Sequence, residues 1–552
     1  MRHLQARRRN PFYRGYNVRY LAHRNLLVSE QLILAIDLGT SALKVALVKP
    51  SGEILACEQE TQSVILLPHG GAEQNPDDWW SAIARAAKRV LAQHRAWAQN
   101  VAALVCTTQW SGTVPVDRAG NAIHNAIIWM DARGAPYVQQ VAGGGIAIEG
   151  YNALRLLPWL RKTGGIPTRS GKDSIAHILW LKHEQPAIYN AAYKFLEPKD
   201  YLNLKLTGQF AAGYDSIILH WVTDNRNIAR VDYDAQLLKF VGVAREKLPD
   251  LKPPTAVLGK LMPEIAREFG LREDVRVAMG TPDIHSAALG SGATRDYDAH
   301  LYIGTSSWLC CHVPFKKTDL THNMASLPSA LPQRYLLTNE QETAGACLSY
   351  LRDNLFFADD ALQTPQPANA YRAFDALAAR VPAGSNKLIF TPWLYGERTP
   401  VDDHSVRGGF FNQSLQTTRA HMIRAVMEGV AYNTRWLRDA VEKFCARKIA
   451  ALNFIGGGAN SAVWCQIFAD VLNCEIRQVR EPVQANVRGA ALLAAVSLGW
   501  LPADEIPAQV AIQNTFTPNA AHRKIYDELF AEFLNLYKAN RKIYARLNRM
   551  ER

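Results

Sequence analysis

Apolar positions along this chain fall into short unbroken runs bounded by turn residues, interspersed with stretches of helical period. The first clear run is LILAIDLGTSALKVALV (32–48). It reads as a strand ending on Asp37, a small-residue turn through Gly39, Thr40 and Ser41, and a second apolar strand. Pro50-Ser51-Gly52 supplies turn chemistry before ILACEQE, so a three-strand meander is expected. DDWWSAIARAAKRVLAQH (77–94) predicts a helix with Asp77 or Asp78 available as its cap. VAALVCTT (101–108) predicts a central strand buried on both faces. This alternation of strands and helices argues for an α/β architecture.

The pattern recurs in the second half. AHLYIGTSSWLCCHVPF (299–315) again gives a strand, a Gly-Thr-Ser turn and a return strand. ALNFIGGGANSAVWCQIFADVL (451–472) predicts a strand, a glycine-rich turn and an amphipathic helix. Two such hairpins predict two related domains facing one another, with a boundary near 285–298, where GSGATRDYDA supplies small and polar residues. ADDALQTPQPANA (358–370) reads as a surface loop.

At 552 residues, 48% hydrophobic and 20% charged, the chain is long enough for two or three domains with a large core. No apolar run approaches the roughly 18–20 residues of a membrane span, so no membrane partner is expected. The net charge of +12 resides in the ends. Residues 1–30 hold seven Arg against one Glu, and residues 538–552 hold six Lys or Arg against one Glu, leaving the body almost neutral. A nucleic-acid partner would call for a basic face on the fold itself and is not expected. Residues 1–30 lack the apolar stretch of a secretory signal and are read as a basic extension, with an organelle transit peptide left open. The eight cysteines form no CxxC pair or zinc spacing, which predicts reduced thiols in the cytoplasm. Of the adjacent pair Cys310 and Cys311, one is expected to face a core.

The chemistry sits in the turns. Backbone N–H groups of a tight turn bind phosphate oxygens, and small residues permit close approach. Asp37-Leu38-Gly39-Thr40-Ser41, with Lys44 for charge, offers such a turn, and Asp37 could hold Mg²⁺ directly or through water. Alone it reads as an ordinary hairpin turn. Gly304-Thr305-Ser306-Ser307 is a second candidate, and two facing turns can clamp a nucleotide's phosphates. Gly456-Gly457-Gly458-Ala459-Asn460 lets a base or ribose lie on the backbone, with Asn460 able to bond a purine edge. There is neither a GxGxxG fingerprint nor a P-loop. A phosphoryl acceptor needs a carboxylate beside its hydroxyl, and Asp283 follows an apolar strand among small residues. His285 beside it is read as structural.

Taken together these segments resemble the FGGY carbohydrate kinase family over residues 31 to about 520, in the family's order. Besides the turns, the likeness rests on TTQWSGTVPVD, IIWMDAR (127–133), EPKDYLNLKLTG (197–208), MGTPD (279–283), ETAGACLSYLRD (342–353) and WLYGERTP (393–400). It implies two duplicated actin-like, ribonuclease-H-like ATPase domains with an interdomain cleft. These would be an N-terminal sugar and phosphate-loop domain over 31–290 and a C-terminal nucleotide domain over 291–525, with a basic helical tail over 526–552. It implies ATP-dependent, Mg²⁺-assisted phosphorylation of a sugar hydroxyl with Asp283 as general base and Asp37 organising the metal. Thr40, Ser41, Gly304 and Thr305 would then cradle phosphates, with Lys44 near the γ-phosphate. Gly345, Ser349, Gly457, Gly458 and Asn460 would hold the nucleoside, and Gln109, Trp110, Ser111 and Asp131 would line the sugar pocket. Arg133 would orient Asp131. A small-molecule sugar and ATP are the implied partners, and a homodimer is compatible with them.

The order of motifs resembles the xylulokinase branch best, which implies a ketopentose such as xylulose. Ser111 stands where that branch usually has His, Trp110 adds a stacking face, and His177 occupies a position usually held by Lys. Another ketose or a polyol therefore stays open, as does Trp110 as a core aromatic. An actin-like ATPase switch binding a protein partner is the reading of another class.

Overall fold

The computed structural model describes residues 31–361 and 365–548. The basic extension over 1–30 and the last four residues lie outside them. The first half builds a six-stranded sheet from β1 (Leu32–Leu38), β2 (Ala42–Val48), β3 (Ile54–Thr61), β4 (Val101–Thr108), β5 (Val257–Lys260) and β6 (Arg276–Pro282), in the order β5-β6-β4-β1-β2-β3. The predicted meander β1-β2-β3 is antiparallel, while β1, β4 and β6 run parallel. Every residue of β1 and β4 is buried. Both faces of the sheet carry an apolar core, which is why these strands read as continuous runs rather than alternations.

Helix α1 (Pro76–Gln93) covers one face through Trp79, Ile83, Ala87 and Val90. Its cap is not Asp77 or Asp78 but Asn75, whose side chain accepts the Asp77 N–H at 2.9 Å. Pro76 takes the first helical position, and the two acids fall in the first turn, where the helix dipole favours them. Two further helices of this half matter to the site, α2 (Pro198–Thr207) and α3 (Asp283–Gly290).

The second half forms an eight-stranded sheet from β7 (Ala299–Ile303), β8 (Ser307–Val313), β9 (Thr318–Asp319), β10 (Met324–Pro328), β11 (Tyr335–Thr338), β12 (Ala451–Ile455), β13 (Glu475–Val479) and β14 (Ile512–Phe516). The order is β9-β10-β11-β8-β7-β12-β13-β14. Its centre repeats the first sheet: a hairpin, β7 with β8, followed by parallel β12 and β13. Its helices include α4 (Gly345–Tyr350), α5 (Arg419–Cys445), α6 (Ala462–Leu472), α7 (Ala485–Ser497) and α8 (Arg523–Leu547). The expected amphipathic helix, α6, is in fact buried nearly all round, since it is packed by α5 and α8. Cys310 and Cys311 point to opposite faces of β8, and both are buried because each face has its own core. The first half of α8 sinks Tyr526, Leu529, Phe530 and Phe533 into the second of these cores.

One of these cores is common to the two sheets. It takes Ile33, Ala35 and Val105 from the first and Trp308, Cys310 and Leu336 from the second. Helices α3 and α7 cross within it at glycines. A Cβ on Gly489 would lie 1.8 Å from the Ser286 carbonyl, and one on Gly290 1.8 Å from that of Ala485. Helix α7 also rests on β1, β4 and β6 of the first sheet, although the chain reaches it only after completing most of the second.

Candidate active site

Strand register assembles the first side of the cleft. Asp37 of β1 and Thr281 of β6 both pair with Thr107 of β4. With strands about 4.8 Å apart, the carboxylate ending β1 and the one just past β6 are held two strands apart at the same edge. That edge is the C-terminal end of three parallel strands, where crevices form in open α/β sheets. It gathers Asp37 with the turn Gly39–Ser41, Gln109–Ser111 and Asp283.

Asp37 is buried. Its Oδ2 lies 3.4 Å from the Lys44 ammonium, while Oδ1 has no hydrogen-bond partner. Burial pushes its carboxyl up, against the opposing pull of Lys44 and of Asn486 at the start of α7. Asp283 opens α3, and its Oδ1 accepts the Ile284 N–H at 2.8 Å. Burial, then the negative charge of Asp37, raise its carboxyl from 3.8 to about 8. Two carboxylates with pKa values displaced in one cleft are a mark of acid–base chemistry. The phenol of Tyr302, on β7 of the other half, feels both acids.

The first turn is wired to Gln109 and Trp129. The Thr40 hydroxyl donates to Gln109 Oε1 at 2.8 Å and accepts from Trp129 Nε1 at 2.9 Å. Gln109 Nε2 donates to Gln74 Oε1, and Gln74 holds the Thr40 and Ser63 carbonyls. Ser41 is exposed. Trp110 is half-buried between two cores, its indole N–H donated to the Ser216 carbonyl at 2.8 Å and its ring edge-on to His285. His285 is buried and kept neutral, its pKa pushed down to about 3 by burial. Ser111, at φ 61°, donates its hydroxyl to the Lys172 carbonyl. Asp131 accepts from the Ala72 N–H and from the backbone N–H and Nε of Arg133, so the latter holds it. His177 is buried 3.4 Å from the Thr113 hydroxyl, with burial lowering it to about 4.

The other side of the cleft converges on the end of β7. The Gly345 N–H donates to the Gly304 carbonyl at 2.8 Å, and the Ala344 N–H to that of Thr305. Gly345 must be glycine, because a Cβ would meet the Gly304 carbonyl at 2.4 Å. Gly456 and Gly458 lie against Ile303, while Gly457 and Asn460 are exposed. Ser349 stands one turn further along, its hydroxyl 2.9 Å from that of Tyr371. The structure thus brings Gly304, Thr305, Gly345 and the glycine triplet to one place, with Asp37, Lys44 and Asp283 facing them across Tyr302.

Three residues of the cleft carried no signal alone in the sequence. Tyr302 sits inside an apolar strand, and Asn486 in the first turn of α7 between Gln484 and Arg488. Glu340 is bonded by Arg398 and adds its negative charge to the surroundings of Asp283. Glu340 and Glu342, the acids of NEQETAGA, share that guanidinium, and Lys172 from the first half reaches Glu342 at 3.7 Å.

A twofold-repeated α/β fold, with a Gly-Thr-Ser hairpin turn at the centre of each sheet, is the architecture of two-domain sugar kinases of the actin-like ATPase fold. Family models agree. The N-terminal domain of the FGGY family of carbohydrate kinases matches residues 32–290 and its C-terminal domain residues 299–498. The chain belongs to that family, and is a carbohydrate kinase transferring phosphate to a sugar. A xylulose kinase of Staphylococcus epidermidis is 28% identical over 94% of this chain and 99% of its own. Among solved structures, a ligand-bound xylulose kinase and a gluconate kinase, both from Lactobacillus acidophilus, each superpose with a TM-score of 0.81. Each is 25% identical, covering 94% of this chain and 100% of its own. No helix among the described residues is long and apolar enough to cross a membrane.

Proposed function

We propose that this kinase transfers the γ-phosphoryl of ATP to a ketopentose such as xylulose, with Asp283 as general base. The observation that carries the mechanism is the raised carboxyl of Asp283, at a helix start two strands from Asp37 and beside the sugar-side loop Gln109–Ser111. Motif order and the similarity to xylulose kinases support the acceptor.

Asp283 Oδ1 is fixed by the Ile284 N–H, which leaves Oδ2 to receive the proton of the attacking hydroxyl. Gln109, Trp110, Ser111 and Asp131 would position the sugar. The N–H groups around Gly39–Ser41 and Gly304–Thr305 would cradle phosphate, with Lys44 neutralising charge as it develops. Gly345, Ser349, Gly457, Gly458 and Asn460 would seat the nucleoside.

A hard divalent cation fits Asp37, whose buried Oδ1 has no other partner. Among the described residues no group of three or more ligating side chains could hold a metal ion, so water and phosphate oxygens would complete the shell, as suits Mg²⁺. When bound, Mg²⁺ supplies neutralisation of the phosphate charge. Neutralising Asp37 also removes one cause of the raised Asp283 pKa, which brings that carboxyl toward the ionised form a base needs. Eight free thiols support a reducing cytoplasm as the compartment.

The test is ADP release with ATP and Mg²⁺ over ketopentoses, aldopentoses, hexuloses, polyols, glycerol and gluconate. Highest kcat/KM on a ketopentose is expected. A preference for gluconate or a polyol would overturn the acceptor, and ATP turnover indifferent to every sugar would favour the nucleotide-switch reading.

A further inference from the structure

The segment EPKDYLNLKLTG has no part in the mechanism above, yet the entry to α2 carries an unusual amount of buried charge. Glu197, Lys199 and Asp200 are each no more than 1% exposed, and Asn203 is fully buried. Apolar side chains would fill such a space at least as stably, since two ions brought out of water seldom regain their solvation. What these groups hold is therefore informative.

They hold both sides of the acceptor site. Glu197 accepts the Gly112 N–H at 3.0 Å and the Ser174 hydroxyl. Asp200 accepts the Ser216 hydroxyl at 2.7 Å, and the Ser216 carbonyl in turn receives the indole N–H of Trp110 at 2.8 Å. Pro198 packs so closely that a Cβ on Gly112 would come within 2.5 Å of it. On the other side Lys199, ion-paired to Asp200, donates to the Met279 carbonyl at 3.2 Å, and Asn203 donates to the same carbonyl at 2.8 Å. Met279 lies on β6 just before Gly280, at φ 68°, where the pairing with β4 shifts register. Thr281, beyond that irregularity, is bonded to Asp215, the neighbour of Ser216. One helical turn thus grips the loop Trp110–Gly112 and the strand that delivers Asp283.

We propose that the entry to α2 is a positioning platform setting the Trp110–Gly112 loop against the Asp283 strand, with Glu197 and Asp200 as its positioning residues. Neither touches the reacting atoms. Glu197 acts through Gly112, and Asp200 acts through Ser216 on Trp110. The proposal rests on the reading that this loop contacts the sugar.

The experiment compares Glu197→Gln, Asp200→Asn and Ser216→Ala with wild type by amide hydrogen exchange and steady-state kinetics in the full-length protein. Ser216→Ala deletes one hydroxyl and is the variant of choice should a charge-altering one fail to fold. Exchange across 109–113 is expected to speed up at least ~10-fold while β1 stays protected, the range for losing about one buried hydrogen bond or more. Sugar KM is expected to rise several-fold with ATP KM within twofold, and Trp110→Phe is expected to abolish the further effect of Ser216→Ala. Unchanged exchange and sugar KM in folded variants would overturn the platform, as would sugar and ATP KM rising together. A wild type that accepts no sugar would overturn the acceptor reading instead, and the exchange comparison would still decide for or against the platform.

Discussion

Replacing Asp283 by Asn should abolish turnover and stabilise the ligand-free protein. The carboxyl rises from 3.8 to about 8, so the folded state favours its protonated form. Its contribution is fully present below pH 3.8 and is lost as pH climbs through 8, which makes the ionised group a burden at neutrality. At about 1.36 kcal/mol per unit, the burden reaches at most ~4 kcal/mol at pH 7 and ~1.7 kcal/mol at pH 5. Asparagine keeps the shape and the oxygen that accepts the Ile284 N–H, but carries no charge. Urea or thermal denaturation of both proteins at pH 5, 6, 7 and 8 gives the difference directly. Its slope should approach ~1.4 kcal/mol per pH unit between 5 and 7 and flatten above 8. ADP release should fall at least ~10²-fold while ATP affinity stays within a few-fold. An asparagine variant no more stable than wild type at pH 7, or a difference independent of pH, would refute the electrostatic account. Near-normal turnover would refute the base.

Thr40→Val should raise sugar KM about 3- to 10-fold and leave ATP KM nearly unchanged. The hydroxyl it removes bonds Gln109 and Trp129, each bond contributing about 1 kcal/mol, and an effect on ATP alone would defeat that inference. Gly489→Ala should destabilise by at least ~2 kcal/mol in urea titrations, since its methyl would be driven to 1.8 Å from the Ser286 carbonyl; a neutral substitution would mean that the helices part freely. The buried histidines should stay neutral well into acid. His177 and His312 are lowered to about 4 and His220, His285 and His300 to about 3, so each one's contribution to stability is full above roughly pH 6.5 and is lost as pH falls below it, opposite in sign to that of Asp283. Imidazole resonances of these five rings that titrate between pH 7 and 5.5 in the folded protein would contradict their burial in neutral form.

Much of the fold was legible in the sequence because local signals agreed with it. Unbroken apolar runs marked strands covered on both faces, and each Gly-Thr-Ser turn joined a true hairpin. The failures have a common origin in distant neighbours. Nothing in ALNFIGGGANSAVWCQIFADVL tells that α5 and α8 will wrap the polar side of its helix. Local propensity suggested Asp77 or Asp78 as cap, whereas Asn75 wins because proline follows it directly. In the site, the acids and glycines were visible as residue types, but their wiring was not. Thr40 read as a phosphate ligand because of its turn, and no local signal showed that its hydroxyl bonds Gln109 and Trp129. Trp110 was open between pocket and core, and its half-buried ring packs against two cores.

The crossing of α3 and α7 bears on how the chain can be made. The first sheet receives one of its covering helices from residues 485–497, so a nascent chain that has just finished β6 carries an apolar face with nothing to lay on it. Loop closure over such a distance is slow, and open sheet faces invite misassembly. On this topology Asp37 acquires its neighbour Asn486 only once residues 485–497 have been made. A fragment ending near residue 290 would be trapped at that stage, and adding the remainder in trans should be what rescues it.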